Sequence, residues 1–271
     1  MASNLTPTVL TIAGSDPYGG AGIQVDSKVI HALGGYAFSV ITALTAQNST
    51  GVNDVLPTAT EHFKIQLHTI LDDIKVDAVK IGMLANAEII SIVAQAIEKY
   101  QLKNIVLDTV LVSSSGKALL EPSAIEVMVK ELFPRVDIIT PNIPEVNRLL
   151  GTNFTGNDDE ITMMATGLFE LGANNVLIKG GHSQDKNSAT DHFVTQDSTI
   201  VSFETARLQT SHTHGTGCVL SSAIATNLAF KKRLEQSVGD AKDFLYQHLQ
   251  TSSEIKFNYH TQNDTRKEPL V

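Results

Sequence analysis

The feature that most constrains the fold is an alternation of short apolar runs with longer amphipathic stretches. The runs are rich in β-branched residues, as in 8–13, and each is followed by a stretch whose apolar residues have helical spacing, as in 23–33. Strand, helix and strand in succession are typical of βαβ units, whose strands lie parallel. The alternation therefore predicts an α/β fold built on a mostly parallel sheet.

The same pattern predicts the positions of the other elements. The predicted strands are 8–13, 38–44, 78–81, 104–107, 136–139 and 175–178, with a β-hairpin or pair of strands in 188–208. The predicted helices are 23–33, 61–73, 88–100, 123–132, 161–171, 218–230 and 236–252. A length of 271 residues suits one large domain over 1–271, in which the polar segment 256–271 is expected to be a loosely held tail.

Composition limits the classes of partner. Twenty Lys and Arg against 29 Asp and Glu give a formal net charge of −9, which predicts no general attraction to nucleic acid or to an anionic membrane. The single cysteine excludes an intramolecular disulfide and fits a reducing compartment. No apolar run approaches the roughly 20 residues of a spanning helix, and no signal peptide is recognisable. We therefore expect a soluble, untargeted cytoplasmic protein.

The most informative motif is His214-Gly215-Thr216-Gly217-Cys218, which precedes an apolar helical run. Glycines that end where a helix begins leave backbone N–H groups pointing outward at the positive end of the helix dipole. Such N–H groups bind phosphate groups and other anions. The motif predicts an anion hole for a transferring phosphoryl group.

Two roles remain open for Cys218. The field at a helix start lowers a thiol pKa and favours thiolate, so Cys218 is a candidate base or nucleophile. Alternatively, a lone Cys that opens an apolar helix is a small buried hydrophobic residue. His212 and His214 have the spacing of a metal pair, but no third ligand is near in sequence, which argues against zinc.

Further polar residues follow predicted strands, at the sheet edge where open α/β folds bind ligands. A loop with four glycines, 14–22, follows the first strand and indicates close backbone approach to a ligand. Asn142 and Glu145 are candidate oxygen ligands for hydrated magnesium, although Glu145 also fits an ordinary first turn of a helix. Lys179 is a candidate phosphate contact.

Taken together, these segments resemble the phosphomethylpyrimidine kinase family of the ribokinase-like superfamily. The resemblance covers about residues 8 to 230 and rests on AGSDP (13–17), GGAGIQ (19–24), TALTAQN (42–48), KIGML (80–84), TPN (140–142) with Glu145, KGGH (179–182) and HGTGC (214–218). It implies a three-layer α/β/α sandwich with a central, mostly parallel sheet. The chain departs from the family at Lys231-Lys232-Arg233, where a glycine is common, and in its C-terminal tail.

The resemblance also implies roles for site residues. Those expected at the pyrimidine are Gly14, Asp26, Gln47, Met83 and Val110, with the Gln47 amide pairing to the aminopyrimidine edge. Those expected at ATP are Asn142, Lys179, Gly215 and Gly217, while Glu145 and Asp108 would hold magnesium. Cys218 falls where many ribokinase relatives have an aspartate base, and Gly215, Thr216 and Gly217 would form the anion hole beside it.

The family implies transfer of a phosphoryl group from ATP to 4-amino-5-hydroxymethyl-2-methylpyrimidine and then to its monophosphate, in thiamine biosynthesis. Magnesium is the implied cofactor with ATP, a monovalent cation is a further candidate, and a homodimer is the expected assembly. Pyridoxal kinase is the alternative enzyme, since an amide such as that of Gln47 can also serve a phenolic oxygen. A catalytically silent ligand-binding relative is the alternative of another class.

Overall fold

The chain folds around a nine-stranded sheet in the residues that the computed structural model describes, which are 6–48, 51–113, 116–183, 187–208 and 214–251. The proposed tail, 256–271, lies outside these residues. The strands are β1 (Thr8–Ser15), β2 (Tyr36–Asn48), β3 (Gly51–Pro57), β4 (Ala78–Ile81), β5 (Ile105–Leu107), β6 (Ile138–Ile139), β7 (Asn175–Ile178), β8 (Ser188–Thr195) and β9 (Ile200–Ala206).

Eight α-helices are described, and they cover both faces of this sheet. They are α1 (Gly22–Ala32), α2 (Thr60–Asp73), α3 (Ala87–Tyr100), α4 (Pro122–Glu131), α5 (Ile143–Leu150), α6 (Ile161–Glu170), α7 (Thr216–Ala229) and α8 (Leu234–Gln250). None of these described helices has the length and apolar character that crossing a bilayer requires.

The strand order is β3-β2-β1-β4-β5-β6-β7-β8-β9, and the six strands from β2 to β7 in this order pair in parallel. Strand β3 at one edge of the sheet, and β8 and β9 at the other end, pair antiparallel with their neighbours. The expected α/β fold with a mostly parallel sheet is therefore confirmed.

Alternation along the central strands divides the core into two layers. Leu10 and Ile12 of β1 pack in a cluster with residues of helices α2 to α6, whereas Val9 packs on the opposite face with α1, α7 and α8. Side chains of a strand point alternately to the two faces, so a central strand that is buried on both sides reads as a continuous apolar run. This explains why the sequence pattern identified these strands.

The pattern failed for an exposed strand and for a short helix. Strand β3 was not predicted, and its residues are all at least partly exposed. Helix α5 was not predicted as a helix either, since only its first turn was considered; it is eight residues long and begins with a capping box between Asn142 and Glu145. Strand β2 runs to Asn48, beyond the predicted end, because its last residues pair with β3.

The end of α7 accounts for one departure from the family pattern. Lys231 has a φ of 62°. This left-handed conformation favours glycine at helix ends, and an L residue adopts it at some energetic cost. Lys231 thus performs the backbone role of the glycine that is common at this position.

Candidate active site

A cavity of about 750 Å³ lies along the edge of the sheet at which the parallel strands end. Loops that follow β1, β4, β5, β6 and β7 contribute to its wall, together with the last residues of β2, the start of α7 and one side of α8. Ligands of open α/β sheets bind in a crevice at this edge. The fold therefore gathers the predicted loops into one site.

The two glycine-rich loops are in direct contact. Gly215 has a φ of 81°, and a Cβ at this position would lie 1.8 Å from the Gly20 carbonyl oxygen. A Cβ at Gly22 would lie 2.2 Å from the Gly14 carbonyl oxygen. Neither position can accept a side chain without backbone movement. The loops must therefore be glycine-rich to pack beneath the start of α7.

Asp16 organises the first loop. Its carboxylate accepts hydrogen bonds from the backbone N–H groups of Tyr18, Gly20 and Ala21, at 2.9, 3.1 and 2.8 Å. Burial alone would raise the pKa of Asp16, but the hydrogen bond with His214 and these N–H donors outweigh it and lower the pKa. Asp16 therefore stays ionised and fixes the loop, a role that the sequence analysis did not assign.

One end of the cavity carries four of the predicted substrate residues. Gly14, Gln47, Met83 and Val110 all line it. A Cβ at Gly14 would lie 2.5 Å from Met83 Cε, so the Met83 side chain packs directly over the glycine. Gln47 Nε2 lies 3.0 Å from His214 Nε2. This end of the cavity therefore combines the apolar Met83 side chain with the polar amide of Gln47.

Asp26, the fifth predicted substrate residue, lies elsewhere. It is fully buried, and its carboxylate accepts hydrogen bonds from Lys80 at 2.8 and 2.9 Å and from Ser222 at 2.7 Å. Thr11 donates a further hydrogen bond to it. Because these donors occupy both carboxylate oxygens, direct contact of Asp26 with a substrate does not fit this structure. The sequence could not show this, since Asp26 has the spacing of an ordinary helix residue.

The centre of the cavity holds a lysine between two carboxylates. Lys179 Nζ donates to Asp108 Oδ1 at 2.9 Å and lies 3.8 Å from Glu145 Oε2. A Cβ at Gly217 would lie 3.3 Å from both Asp108 Oδ2 and Lys179 Nζ, so the cluster adjoins the start of α7. Asn142 also lines the cavity, and its backbone N–H donates to Glu145 Oε2 at 2.8 Å. The structure thus places the predicted phosphate, metal and anion-hole residues together.

The pKa values of this cluster reflect burial together with the attraction between its charges. Burial raises the pKa of Glu145 to about 7, an effect that Lys179 opposes and Asp108 reinforces. Burial also acts to raise the pKa of Asp108, but Lys179 and Lys80 outweigh it and lower the pKa. The pKa of Lys179 is raised despite its burial, because both carboxylates favour its charged form.

This charge balance fits a divalent cation. Two buried carboxylates, those of Asp108 and Glu145, lie 2.9 and 3.8 Å from the Lys179 ammonium group. Magnesium commonly takes only one or two carboxylates beside the phosphates of a bound nucleotide. Among the described residues no cluster of three or more His, Cys, Asp or Glu side chains exists, so a nucleotide would have to complete the coordination.

Cys218 is the third residue of α7, and its side chain is partly buried. Burial raises the pKa of its thiol to about 11, although Lys80 acts in the opposite direction. This reverses the direction expected from the helix start, because removal from water outweighs the nearby positive charge. The backbone N–H of Gly22 hydrogen-bonds the sulfur, which ties α7 to the first loop.

The sequence comparisons identify the family. The family model described as phosphomethylpyrimidine kinase matches residues 16–263. The hydroxymethylpyrimidine/phosphomethylpyrimidine kinase of Escherichia coli strain K12 is 40% identical over 250 residues, which cover 92% of this chain and 93% of that protein. This chain belongs to the phosphomethylpyrimidine kinase family. It is accordingly a phosphotransferase.

The similar solved structures include enzymes with two different activities. The phosphomethylpyrimidine kinase of Clostridium difficile 630 is 38% identical with a TM-score of 0.79, and the match covers 90% of this chain and all of the other. The pyridoxal kinase of Staphylococcus aureus in complex with AMP-PCP and pyridoxal is 31% identical with a TM-score of 0.87, covering 96% of both chains. Sequence identity favours the first and backbone similarity the second.

Several cavity residues were not predicted as site residues, among them Asp16, Lys80, Arg207 and His214. Asp16 and His214 stand within quoted motifs, so their position next to glycines was the available signal. Lys80 lies in a strand and Arg207 just after one, and each is set in place by partners far away in sequence. Lys80 also stands in a quoted motif, KIGML, but no local pattern marks Arg207.

Proposed function

We propose that this enzyme transfers a phosphoryl group from ATP to the hydroxymethyl group of 4-amino-5-hydroxymethyl-2-methylpyrimidine, and then a second one to the monophosphate, in thiamine biosynthesis. Relatives named for both steps support the substrate, as does the bifunctional thiamine biosynthesis protein of Geobacter sulfurreducens, which is 41% identical over 238 residues. The single observation that carries the proposal is the position of the anion hole between two ends of one cavity.

The order of the strands separates the two ends. Gly14 and Gln47 belong to β1 and β2, whereas Ala189 and Asp191 of β8 and Arg207 after β9 line the other end. Strands β1 and β8 are five steps apart in the sheet, which corresponds to about 24 Å at the usual strand spacing. This distance accommodates an acceptor ring at one end and an extended nucleotide at the other.

The chemistry of the centre suits phosphoryl transfer. The first backbone hydrogen bond described at the start of α7 is donated by Val219 N to Gly215 O, so the N–H groups of Gly217 and Cys218 precede the intrahelical ladder. Together with Lys179 they provide positive charge where charge develops on the transferred group. Enzymatic phosphoryl transfer depends mainly on such positioning and charge stabilisation.

Magnesium supplies further charge neutralisation for the phosphates when it is bound, and Glu145 and Asp108 are the residues that would hold it. Asn142 fixes the orientation of Glu145, since each donates its backbone N–H to the other side chain at 2.8 Å. Lys179 would contact the ATP phosphates. A cytoplasmic location, a homodimer and a role for a monovalent cation complete the proposal.

Pyridoxal kinase activity is the second candidate function, and one observation favours it. The TM-score to the Staphylococcus aureus pyridoxal kinase, 0.87, exceeds the value of 0.79 to the Clostridium difficile phosphomethylpyrimidine kinase. Against a catalytically silent relative stands the complete set of Lys179, Asp108 and Glu145 at the start of α7. The two active candidates differ only in the ring that the Gln47 end of the cavity accepts.

Steady-state assays with each ring alcohol at saturating magnesium and ATP decide between these functions. We expect kcat/KM to be at least about tenfold higher for the aminopyrimidine than for pyridoxal, since an amide that pairs with the ring edge discriminates by about that much. Gln47→Ala should reduce this preference while the KM for ATP stays within about twofold. A preference for pyridoxal would replace the proposal, and no turnover of either alcohol would reject both kinase functions.

A further inference from the structure

Arg207 follows β9 and points its guanidinium group at the loop after β7. Its Nη1 donates to Gly181 O at 2.9 Å, and its Nη2 lies 3.4 Å from Gly180 O and 3.2 Å from Ser183 Oγ. Its Nε donates to Ser188 O at 3.2 Å. A single side chain therefore binds both ends of the short turn that follows Lys179.

Asp191 holds the same turn from the opposite side. Its Oδ1 accepts from Gly180 N at 2.9 Å, and its Oδ2 accepts from Lys242 Nζ on α8, also at 2.9 Å. A Cβ at Gly180 would lie 1.9 Å from the Thr190 carbonyl oxygen, so the turn is pressed against β8. The N–H of Gly180 and its carbonyl group are thus fixed by two different charged side chains.

The charge of Arg207 is not neutralised by a carboxylate in the described residues. All four described acceptors of its guanidinium group are neutral carbonyl or hydroxyl oxygens, and in the described part of the chain no carboxylate forms an ion pair with it. An arginine has five N–H donors, and its guanidinium stays protonated in proteins. Arg207 lines the cavity at the end opposite Gln47. One N–H and a full positive charge therefore remain for an anionic ligand there.

We propose that Arg207 and Asp191 form a clamp that fixes residues 180–183 and so positions Lys179 for the phosphate chain of the nucleotide. The proposal rests on the use of ATP stated above and adds two positioning residues to it. Lys179 immediately precedes the clamped turn, and Lys179 N donates to Pro141 O at 2.9 Å, which fixes its other side. Without the clamp, the Lys179 backbone would be held on one side only.

The clamp needs the shape of arginine as well as its charge. The planar fork of the guanidinium reaches several acceptors at once, whereas a lysine ammonium on a flexible stem is a point charge. Arg207→Lys therefore separates the two contributions, and Arg207→Met removes both. Arg135→Met is a matched control, because Arg135 likewise bridges a backbone carbonyl and a side chain, at Glu131 and Glu98, but does not line the cavity.

The test measures AMP-PCP binding and aminopyrimidine binding by calorimetry on the full-length chain, with hydrogen exchange of the Gly180 amide on the same samples. We expect both Arg207→Lys and Arg207→Met to weaken AMP-PCP binding by roughly tenfold or more, with pyrimidine binding within about twofold. Both should also speed exchange at Gly180, and Asp191→Asn should do the same. Arg135→Met should leave all three readouts unchanged.

Three results would overturn the clamp. Full AMP-PCP affinity in Arg207→Lys would show that charge alone suffices. Equal losses for AMP-PCP and pyrimidine would show a general folding defect, and unchanged Gly180 exchange would show that the turn does not depend on Arg207. None of these readouts requires turnover, so a failure of the proposed kinase function would be seen separately, in the activity assays.

Discussion

Lys179 Nζ lies 2.9 Å from Asp108 Oδ1, although 71 residues separate the two side chains in sequence. Strands β5 and β7 bring them together, since Asp108 and Lys179 each follow the end of a parallel strand. The pair is nearly buried, with 14% of the Lys179 side chain and 3% of the Asp108 side chain exposed. The neutralisation of these charges by each other determines how several variants will change stability and activity.

Removing the lysine should harm both stability and activity. Lys179→Met leaves Asp108 and Glu145 facing each other without a cation, which should cost about 3 kcal/mol in the free energy of unfolding and reduce kcat/KM by roughly 10³-fold. Asp108→Asn combined with Lys179→Met should recover part of the stability and none of the activity. Urea denaturation and steady-state kinetics on both variants check this. Wild-type kcat/KM in Lys179→Met would exclude a role in transfer.

Glu145 should make the enzyme less stable as the pH rises. Its pKa in the folded protein is about 7, against an ordinary value of 4.5, so the folded state binds the proton more tightly than the unfolded state. Stability should therefore fall between about pH 4.5 and pH 7. Without magnesium at pH 8, Glu145→Gln should be more stable than wild type by on the order of 2 kcal/mol. Thermal unfolding measured across this pH range tests it.

Glu145→Gln should also raise the magnesium concentration needed for half-maximal rate, while pyrimidine binding stays nearly unchanged, since the residue would meet the substrate only through the metal. Glu126→Gln, on the exposed side of α4, is the matched control for loss of one carboxylate. A magnesium requirement equal to that of the control would leave Glu145 as part of a helix cap only.

Cys218→Ala should slow the first phosphoryl transfer by roughly 10²-fold or more and the second transfer much less. The hydroxymethyl group must lose a proton as it attacks, whereas the monophosphate already presents an ionised oxygen. Because the thiol pKa is about 11, the first transfer in the wild type should also quicken as pH rises towards 9. Single-turnover assays started from each acceptor separate the steps, with circular dichroism as the folding control. Equal slowing of both steps would contradict a base role.

The buried ion pair of Asp26 and Lys80 should affect stability mainly because each charge neutralises the other. Lys80→Met leaves the Asp26 carboxylate buried without its cation and should cost about 3 to 5 kcal/mol. Asp26→Leu combined with Lys80→Met should cost far less, since apolar residues often replace a buried pair at little expense. Urea unfolding of the two variants is the measurement. Equal losses of stability in the two variants would show that the pair contributes more than the neutralisation of each charge by the other.

The double variant should still lose kcat. Ser222 on α7 donates to Asp26 Oδ1 at 2.7 Å, so replacement of the pair removes an anchor of the helix that carries the anion hole. We expect kcat to fall several-fold with little change in the KM for pyrimidine, because Asp26 and Ser222 lie outside the cavity lining and act through the position of α7, although Lys80 itself lines the cavity. Unchanged kcat would show that other contacts suffice to hold α7.

Sequence patterns by themselves determined the α/β fold, because central strands that are buried on both faces leave apolar runs such as those of β1, β4 and β7. They also located the glycines next to α7, since backbone contact as close as that of Gly215 with Gly20 excludes any side chain. Glycines of this kind stand close together in sequence and can be recognised there, although the contact that they allow joins two distant loops. Only the resemblance to a family, and not the periodicity, indicated the substrate.

The tertiary structure alone decided which charges meet and which are removed from water. Asp26 has helical spacing in sequence, but β4 and α7 bring Lys80 and Ser222 to its carboxylate and so withdraw it from the cavity. Cys218 stands at a helix start, yet burial raises its thiol pKa to about 11. The pairing of charges and the removal of side chains from water depend on residues distant in the chain, so a local pattern of residue types cannot predict them.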